Sequence, residues 1–357
     1  MKLSFFFTFA MISSAHSAPT PIGPFSFGGG LNLQTNITDI KDDQTPDSCN
    51  CVSNSDGSTS KIFGTKRFIE QSRSSQPVTG LYRAYWSTGT RKLDFTFSVM
   101  GSDILVSTSK VSPVWIVLSS YVVPGQNWSF VTMNNRVIMT GDGLVNPIFQ
   151  YNMANSSFSN LFTQSAGTDS ITIRAKYLLQ KSNYLLFINV VDITQGTTFY
   201  PSRVHFSLLN QPSSTTYNRF FDVRTNDGEE LTGAGVNFDR VNLFKPSSGH
   251  ELSFTILDLV TRGGDQVLAE VVNGFGLKAP RSLQSDGIYY IFGAQDGIRI
   301  WDGGRRSRLN VAEESRIISN DIKPLIDRLI NAGTYERMSG KFYKKRNWVV
   351  FSYEDPD

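Results

Sequence analysis

Metal and thiol chemistry find little to work with in this chain, which has two cysteines and three histidines among its 357 residues. Cys49 and Cys51 are separated by one residue. A bridge between such near neighbours would strain disulfide geometry and gain little loop entropy, so no structural disulfide is expected. His16, His205 and His250 lie far from one another and from the cysteines. No spacing resembles a zinc or copper site, and no metal ligand is assigned. Charge is scarce as well, at 18% with a net of +3, which speaks against a nucleic-acid coat and against strong steering to a membrane. The basic runs Arg305-Arg306-Ser307-Arg308 and Lys344-Lys345-Arg346 read as solvated turns. One apolar stretch, Leu3 to Ile12, is too short to span a bilayer, and no later stretch is longer, so no membrane span is expected.

What the chain does have is aromatic residues, glycine and a repeat. With 39% apolar residues, 26 Phe, 13 Tyr and 29 Gly, it can build a large core from strands and turns. Six times an apolar-alternating run breaks at a tight polar turn and resumes. The cleanest copy, Leu283 to Gly304, is cut by Asp286-Gly287 and Asp296-Gly297. The others centre on Ser87 to Thr90, Asn134-Asn135, Ser182-Asn183, Asn237 to Asp239 and Lys345 to Asn347. Most neighbours are about 50 residues apart, the period of a propeller blade. The expected fold is therefore all-β, a β-propeller-like array of antiparallel hairpin blades. In the first copy, Thr79 to Trp86 and Leu93 to Val99 alternate as a hairpin with one buried face would.

Three segments follow from this reading. Residues 1–18 carry the charged, apolar and small-residue zones of a secretory signal, with cleavage expected near Ala18 or Pro19. Residues 19–75, rich in Gly, Pro, Ser, Thr and Asp, form an extended N-terminal arm. Residues 76–357 form the propeller-like domain, whose last repeat, near Asp357, leaves closure open: either the N-terminal segment completes the last blade or the chain is cut short. One short helix is expected near the C-terminus, where Ile322, Leu325, Ile326, Leu329 and Ile330 share a face. Asn320 or Asp321 offers a cap, Pro324 falls in the first turn and Gly333 ends the helix.

Catalytic constellations are missing from the sequence. Gly28-Gly29-Gly30 lacks the lysine and helix of a phosphate loop. No Gly-x-Ser-x-Gly elbow is present, and no histidine is placed beside a nucleophile. Asp42-Asp43, Glu229-Glu230 and Glu313-Glu314 pair acids side by side, but adjacent strand residues point to opposite faces, so no pair is itself a glycosidase couple. Trp301-Asp302 occurs once and reads as a ring closing a strand. No catalytic residue and no cofactor site is assigned, and the chain is read as a non-enzyme. The sequons at Asn36, Asn127 and Asn155 matter only in an exported protein.

An ordered set of segments resembles a known family. Gly29–Asn32, Thr38–Ser48, Gly57–Phe68, Pro77–Arg83, Tyr200–Ser207, Phe221–Gly233, Ala279–Ser282, Asp296–Gly303 and Ile322–Arg328 are similar, in order, to propeller-type tail proteins of tailed bacteriophages, and most to the nozzle or tail-tube proteins of short-tailed phages. The resemblance spans nearly the whole chain from residue 27 onward. It implies a structural virion protein in the tail, assembled as a homo-oligomeric ring around the DNA ejection channel. Its implied partners are an adaptor or portal ring and fibres, with DNA only as non-specific cargo. The signal-like residues 1–18 depart from that family. They favour a different class, a secreted or periplasmic propeller binding a glycan or protein ligand, in which Trp86, Trp115 or Trp128 could stack on sugar.

Overall fold

In the computed structural model of the protein, residues 30–33, 44–45, 51–53, 59–61, 76–108, 114–162, 171–237, 240–252, 268–303, 315–343 and 348–354 are described. The signal-like segment, both basic runs, Cys49, Asn36, Asp42-Asp43, Glu313-Glu314 and the Lys345 to Asn347 turn lie outside them. The chain divides into two compact units, Met1–Gly64 and Thr65–Asp357.

The first unit contains short pairs. β1 (Gly30–Leu31) runs parallel to β2 (Gln44–Thr45), and β3 (Cys51–Ser53) antiparallel to β4 (Thr59–Lys61). None of these strands carries an alternating apolar face, which is why the arm reads as irregular in the sequence.

The second unit is a series of antiparallel meanders. The first sheet holds β5 (Val78–Thr88), β6 (Arg91–Met100), β7 (Asp103–Ser107) and β8 (Ile116–Ser119). The second holds β9 (Trp128–Met133), β10 (Arg136–Gly141), β11 (Phe149–Asn152) and β12 (Ser157–Asn160). The third holds β13 (Ile173–Lys181), β14 (Tyr184–Asp192), β15 (Thr198–Phe206) and β16 (Phe220–Asp222). The fourth holds β17 (Gly233–Asn237), β18 (Arg240–Phe244), β19 (Ser248–Leu252) and β20 (Leu268–Asn273). The fifth holds β21 (Ala279–Ser285), β22 (Tyr290–Ala294), β23 (Gly297–Trp301) and β24 (Arg316–Ile317). A sixth, of two strands among the described residues, pairs β25 (Ser339–Tyr343) with β26 (Trp348–Ser352). The first strand of each sheet packs on the first strand of the next, from β5 to β25. The sequence repeat marks the opening hairpin of each sheet, so the all-β, propeller-like array is observed.

The core is distributed between the sheets. Phe95, Phe97, Val99 and Ile104 of the first sheet meet Val137, Met139 and Tyr151 of the second. Ile138 and Met133 turn the other way, toward Ala175, Leu185 and Phe187 of the third. Leu186, Ile188 and Val204 then meet Val241 and Leu243 of the fourth, and Phe244 meets Tyr290, Phe292 and Trp301 of the fifth. Strand side chains alternate, so a strand between two neighbours feeds both cores. β14 is accordingly buried from Tyr184 through Val191, and it reads as a continuous apolar run. In the first sheet β5 and β6 direct one apolar face to the second sheet, as their alternation predicts, while Leu105 of β7 is buried on the other side beneath Trp115.

Close approach needs glycine at the joints. A Cβ on Gly235 would stand 2.5 Å from the Tyr290 ring, and one on Gly80 would stand 2.8 Å from the Trp128 Cβ. Among the described residues the one α-helix, α1 (Lys323–Asn331), buries Ile326 and Leu329, with Ile322 and Leu325 beside them, against Ala279, Ile298 and Phe351. Two expectations are corrected here. Ile330 is 38% exposed, because the buried stripe is narrower than the sequence pattern. Neither Asn320 nor Asp321 caps the helix: a 3-10 turn over Asn320–Ile322 precedes it, with Ile322 N–H donating to Ser319 O. The C-terminus ends as expected at Gly333, φ 70°, where Gly333 N–H donates to Ile330 O and Thr334 N–H to Leu329 O.

Candidate functional site

Polar side chains from successive sheets converge beside the first strands. Asn127, just before β9, donates through Nδ2 to Asp142 at 2.9 Å, while Asp142 also accepts from the Asn127 backbone N–H. Arg174 in β13 donates to Leu144 O of the second sheet at 3.1 Å. Lys176, on the same strand, pairs with Glu230 at 2.6 Å, and Asn189 donates to Glu230 and to Leu231 O. Arg281 in β21 donates to the Asn127 side-chain oxygen at 2.8 Å. That last bond joins the fifth sheet to the second, so the row of sheets curves back on itself.

Two carboxylates, Asp142 and Glu230, stand among three cations: Lys176 pairs with Glu230, whereas Arg174 and Arg281 donate to the neutral oxygens of Leu144 and Asn127. Burial would raise the Glu230 carboxyl, but Lys176 and Asn189 more than offset this and hold it below its ordinary range. The Tyr177 hydroxyl is pushed above its usual range by burial, then by Asp142 and Glu230. It is therefore a poor acid, and nothing in the hub resembles an activated nucleophile.

A second polar centre lies between the third and fourth sheets. The Lys245 ammonium is fully buried and donates to both Asp227 oxygens at 2.7 and 2.8 Å, to Ser202 Oγ, and to the carbonyls of Arg224 and Glu229. Burial would raise the Asp227 carboxyl; its bonds to Lys245 and to the Glu229 N–H, with the Lys245 and Arg224 charges, together outweigh that and hold it low. The adjoining recess, of about 640 Å³, is open and polar and is lined by Asp222, Arg224, Asn226, Asp227, Glu229 and Ser247 among others. Its acids are committed: Asp222 is held by the Arg203 guanidinium and Glu229 by Ser247. Glu229 and Glu230 point to different partners, as neighbours in an extended segment do. Among the described residues no group of three or more His, Cys, Asp or Glu side chains is placed to hold a metal, and no helix is long and apolar enough to cross a membrane.

The sequence singled out other residues. Trp115 is 6% exposed and covers Leu105. Trp128 stacks on Phe149 at 6.2 Å, and Trp86 packs against the same interlayer core. All three take part in packing. Trp301 is likewise buried at the end of β23. Asn127 is a hub residue with both side-chain atoms engaged. Asn155 sits in an exposed turn, its oxygen accepting from Ser157 N–H and Oγ. Sequence reasoning missed Lys245, Arg281 and Lys176. The resembling segments offered the available signal, since Phe221–Gly233 supplies Asp227 and Glu230, and Ala279–Ser282 supplies Arg281.

No family model matches this chain, and no curated protein does. Among solved structures it is similar to Raptor of Chaetomium thermophilum, at 10% identity and TM-score 0.40, covering 69% of this chain and 21% of that one. It is also similar to the extracellular domain of a putative hybrid two-component system of B. thetaiotaomicron, at 8% identity and TM-score 0.38, covering 66% and 32%. The AfRom2 CNH domain is similar at 10% identity and TM-score 0.36, covering 73% and 68%. This chain thus spans well under half of the first two. Likenesses of this size carry no argument about what it does.

Proposed function

We propose that the chain is a non-enzymatic structural protein of a phage tail, resident in the virion and forming part of a ring or nozzle around the DNA ejection channel. The observation that carries this reading is the disposition of its polar and apolar groups. Lys176 in the hub and Lys245 in the second centre are paired internally with Glu230 and Asp227, whereas apolar residues stand exposed on the first and last sheets, including Leu81 at 68% and Val350 at 54%. A rigid body of this kind is suited to being flanked, with no group poised for chemistry. The ordered resemblance to phage tail proteins supports the same reading. The Arg281–Asn127 bond joins the fifth sheet to the second, and in this reading the channel lies between copies. Neighbouring tail proteins would be met through sheet edges and loops.

A second reading, a secreted or periplasmic propeller that binds a protein ligand, draws on the loop after β8. Tyr121 is 94% exposed there and Val123 48%, and Val145, in the loop between β10 and β11, is also 48% exposed. The loop is braced by Asn146, which accepts from Val123 N–H and donates to Gln126.

Peptide mass mapping and N-terminal sequencing of purified particles separate the two. The tail reading expects the chain in the particles with Met1 retained or only the initiator trimmed. Its absence from particles, with a mature start near Pro19 in the medium, would overturn the tail reading in favour of the secreted one.

A further inference from the structure

Residues 211–223 form a flap pinned at both ends. At one end Asn210 has left-handed backbone, φ 60°; its N–H donates to Asn183 O, and its carbonyl accepts from the Asn134 amide. At the other end Arg224 is left-handed too, at φ 44°, which is uncommon for a residue other than glycine. Its carbonyl is one of the acceptors held by buried Lys245, with Asp227 and Glu229 O just beyond. Between the pins the flap carries β16, the last strand of the third sheet. Its ladder with β15 has three pairs, Arg203 with Asp222, Val204 with Phe221 and His205 with Phe220.

The two sides of this ladder are held differently. Phe221 and Val223 enter the core with Leu186, Val204 and Leu243. On the other side the Arg203 guanidinium lies 3.7 Å from the centre of the Phe220 ring and 3.9 Å from that of Tyr200, and it donates to both Asp222 oxygens at 2.7 and 2.8 Å. His205, two residues further along the same face of β15, sets its imidazole 5.5 Å from the Phe220 ring. That imidazole is buried, and neither nitrogen has a partner. The charges acting on it are Arg203 on its own strand, Asp222 on β16 and Asp192 at the end of β14, with the Arg219 backbone just before β16. The Arg219 guanidinium is turned to Ser207 O and the Phe206 ring. Asp222 is already taken by Arg203. A proton on the imidazole would therefore meet no bonded carboxylate in the closed flap and would set a second cation beside the guanidinium.

We infer that His205 is an acid-sensitive latch: protonation of its imidazole releases the flap 211–223 from β15 while the two pins stay in place. Water reaches the ring only as the flap lifts, so the open state binds the proton more tightly and its population rises as pH falls. The sign follows from the lowered pKa: the latch is fully closed above about pH 6.5 and weakens as pH falls toward 4. The Lys245 pin has no such dependence, because its ammonium is charged at neutral and acid pH alike.

Hydrogen–deuterium exchange of the full chain, read by mass spectrometry at about pH 7 and pH 4.5 with labelling times scaled for the intrinsic exchange rate, tests the latch. With a proton taken up at about 4 in the closed flap and at 6.5 in the open one, protection of residues 211–223 should fall about 60-fold between those two conditions. At both it should lie below the protection of β13 and β14. Protection equal to that of β14 throughout would mean that the flap exchanges only with the whole fold, and would overturn the inference. Protection unchanged by pH would overturn it as well. In His205→Phe the fall should disappear, and a fall of the same size would assign the response to the acids instead. Asp222→Asn removes the other titrating group of the clamp. It should lower protection of the flap at both pH values and keep the fall between them, and loss of the fall there would refute the latch even if His205→Phe does not fold.

Discussion

His205 is 1% exposed, and neither ring nitrogen has a hydrogen-bond partner. Burial, and then the nearby Arg203 cation, lower its pKa from 6.5 to about 4; Asp192, Asp222 and the Arg219 backbone push weakly the other way. The folded chain thus holds a neutral imidazole while the unfolded chain takes up a proton below about pH 6.5. Stability contributed by the neutral ring is complete above that pH and is lost as pH falls from 6.5 to about 4, amounting to about 3 kcal/mol. Denaturant titrations between pH 7 and 4 should show this loss, and His205→Phe should remove that share of it. Lys245 poses the opposite problem, a charge that stays buried. Lys245→Met should destabilise the fold by about 3 kcal/mol, because Asp227 and two carbonyls lose their donor. Adding Asp227→Asn should recover part of the loss, read from the same titrations. Lys245 follows Leu243 and Phe244 at the end of β18 and sits in no recognisable motif. Its role depends on a loop that returns to it from Arg224 to Glu229, and such a meeting is not written in local sequence.

At the scale of the element, turn chemistry was the most legible signal. Asn134-Asn135 and Ser182-Asn183 both adopt left-handed backbone, with φ of 50°, 60°, 49° and 63°, as two-residue hairpin turns require. Ser182-Asn183 is the weaker solution, since serine has little preference for that region. Replacing it with Asn-Gly should stabilise the protein by about 0.5–1 kcal/mol, measurable as a rise in Tm. Asn134 is different: its amide donates to Asn210 O at 2.9 Å, so that turn also ties the second sheet to the third and tolerates less change. The helix was legible from its stripe and its terminal glycine. Its start was not, because Ser319, which precedes the 3-10 turn, spends its hydroxyl accepting from Ile298 N–H at 2.9 Å, a partner twenty-one residues away. The paired strands of the arm were illegible for a simpler reason: two- and three-residue strands without an alternating face leave no periodic trace.

For the whole molecule, the tail reading requires that DNA pass without adhering. A net charge of +3, with Lys176 and Arg281 engaged in the hub, should give non-specific duplex binding weaker than a Kd of about 10⁻⁴ M near physiological salt, measured by fluorescence anisotropy. Binding tighter than about 10⁻⁶ M would contradict a cargo role. The sequence by itself determined that the second unit is a series of hairpins at blade spacing, because turn residues and strand alternation are local and repeat with each blade. It also determined where metal and thiol chemistry have too few ligands. The tertiary structure alone decided which strands bury both faces, that Lys245 is enclosed by a returning loop, and that Arg281 reaches Asn127 to join sheets five and two. Those outcomes depend on how the sheets stack and curve, and residues 154 positions apart carry no mutual signal until the intervening sheets have brought them together.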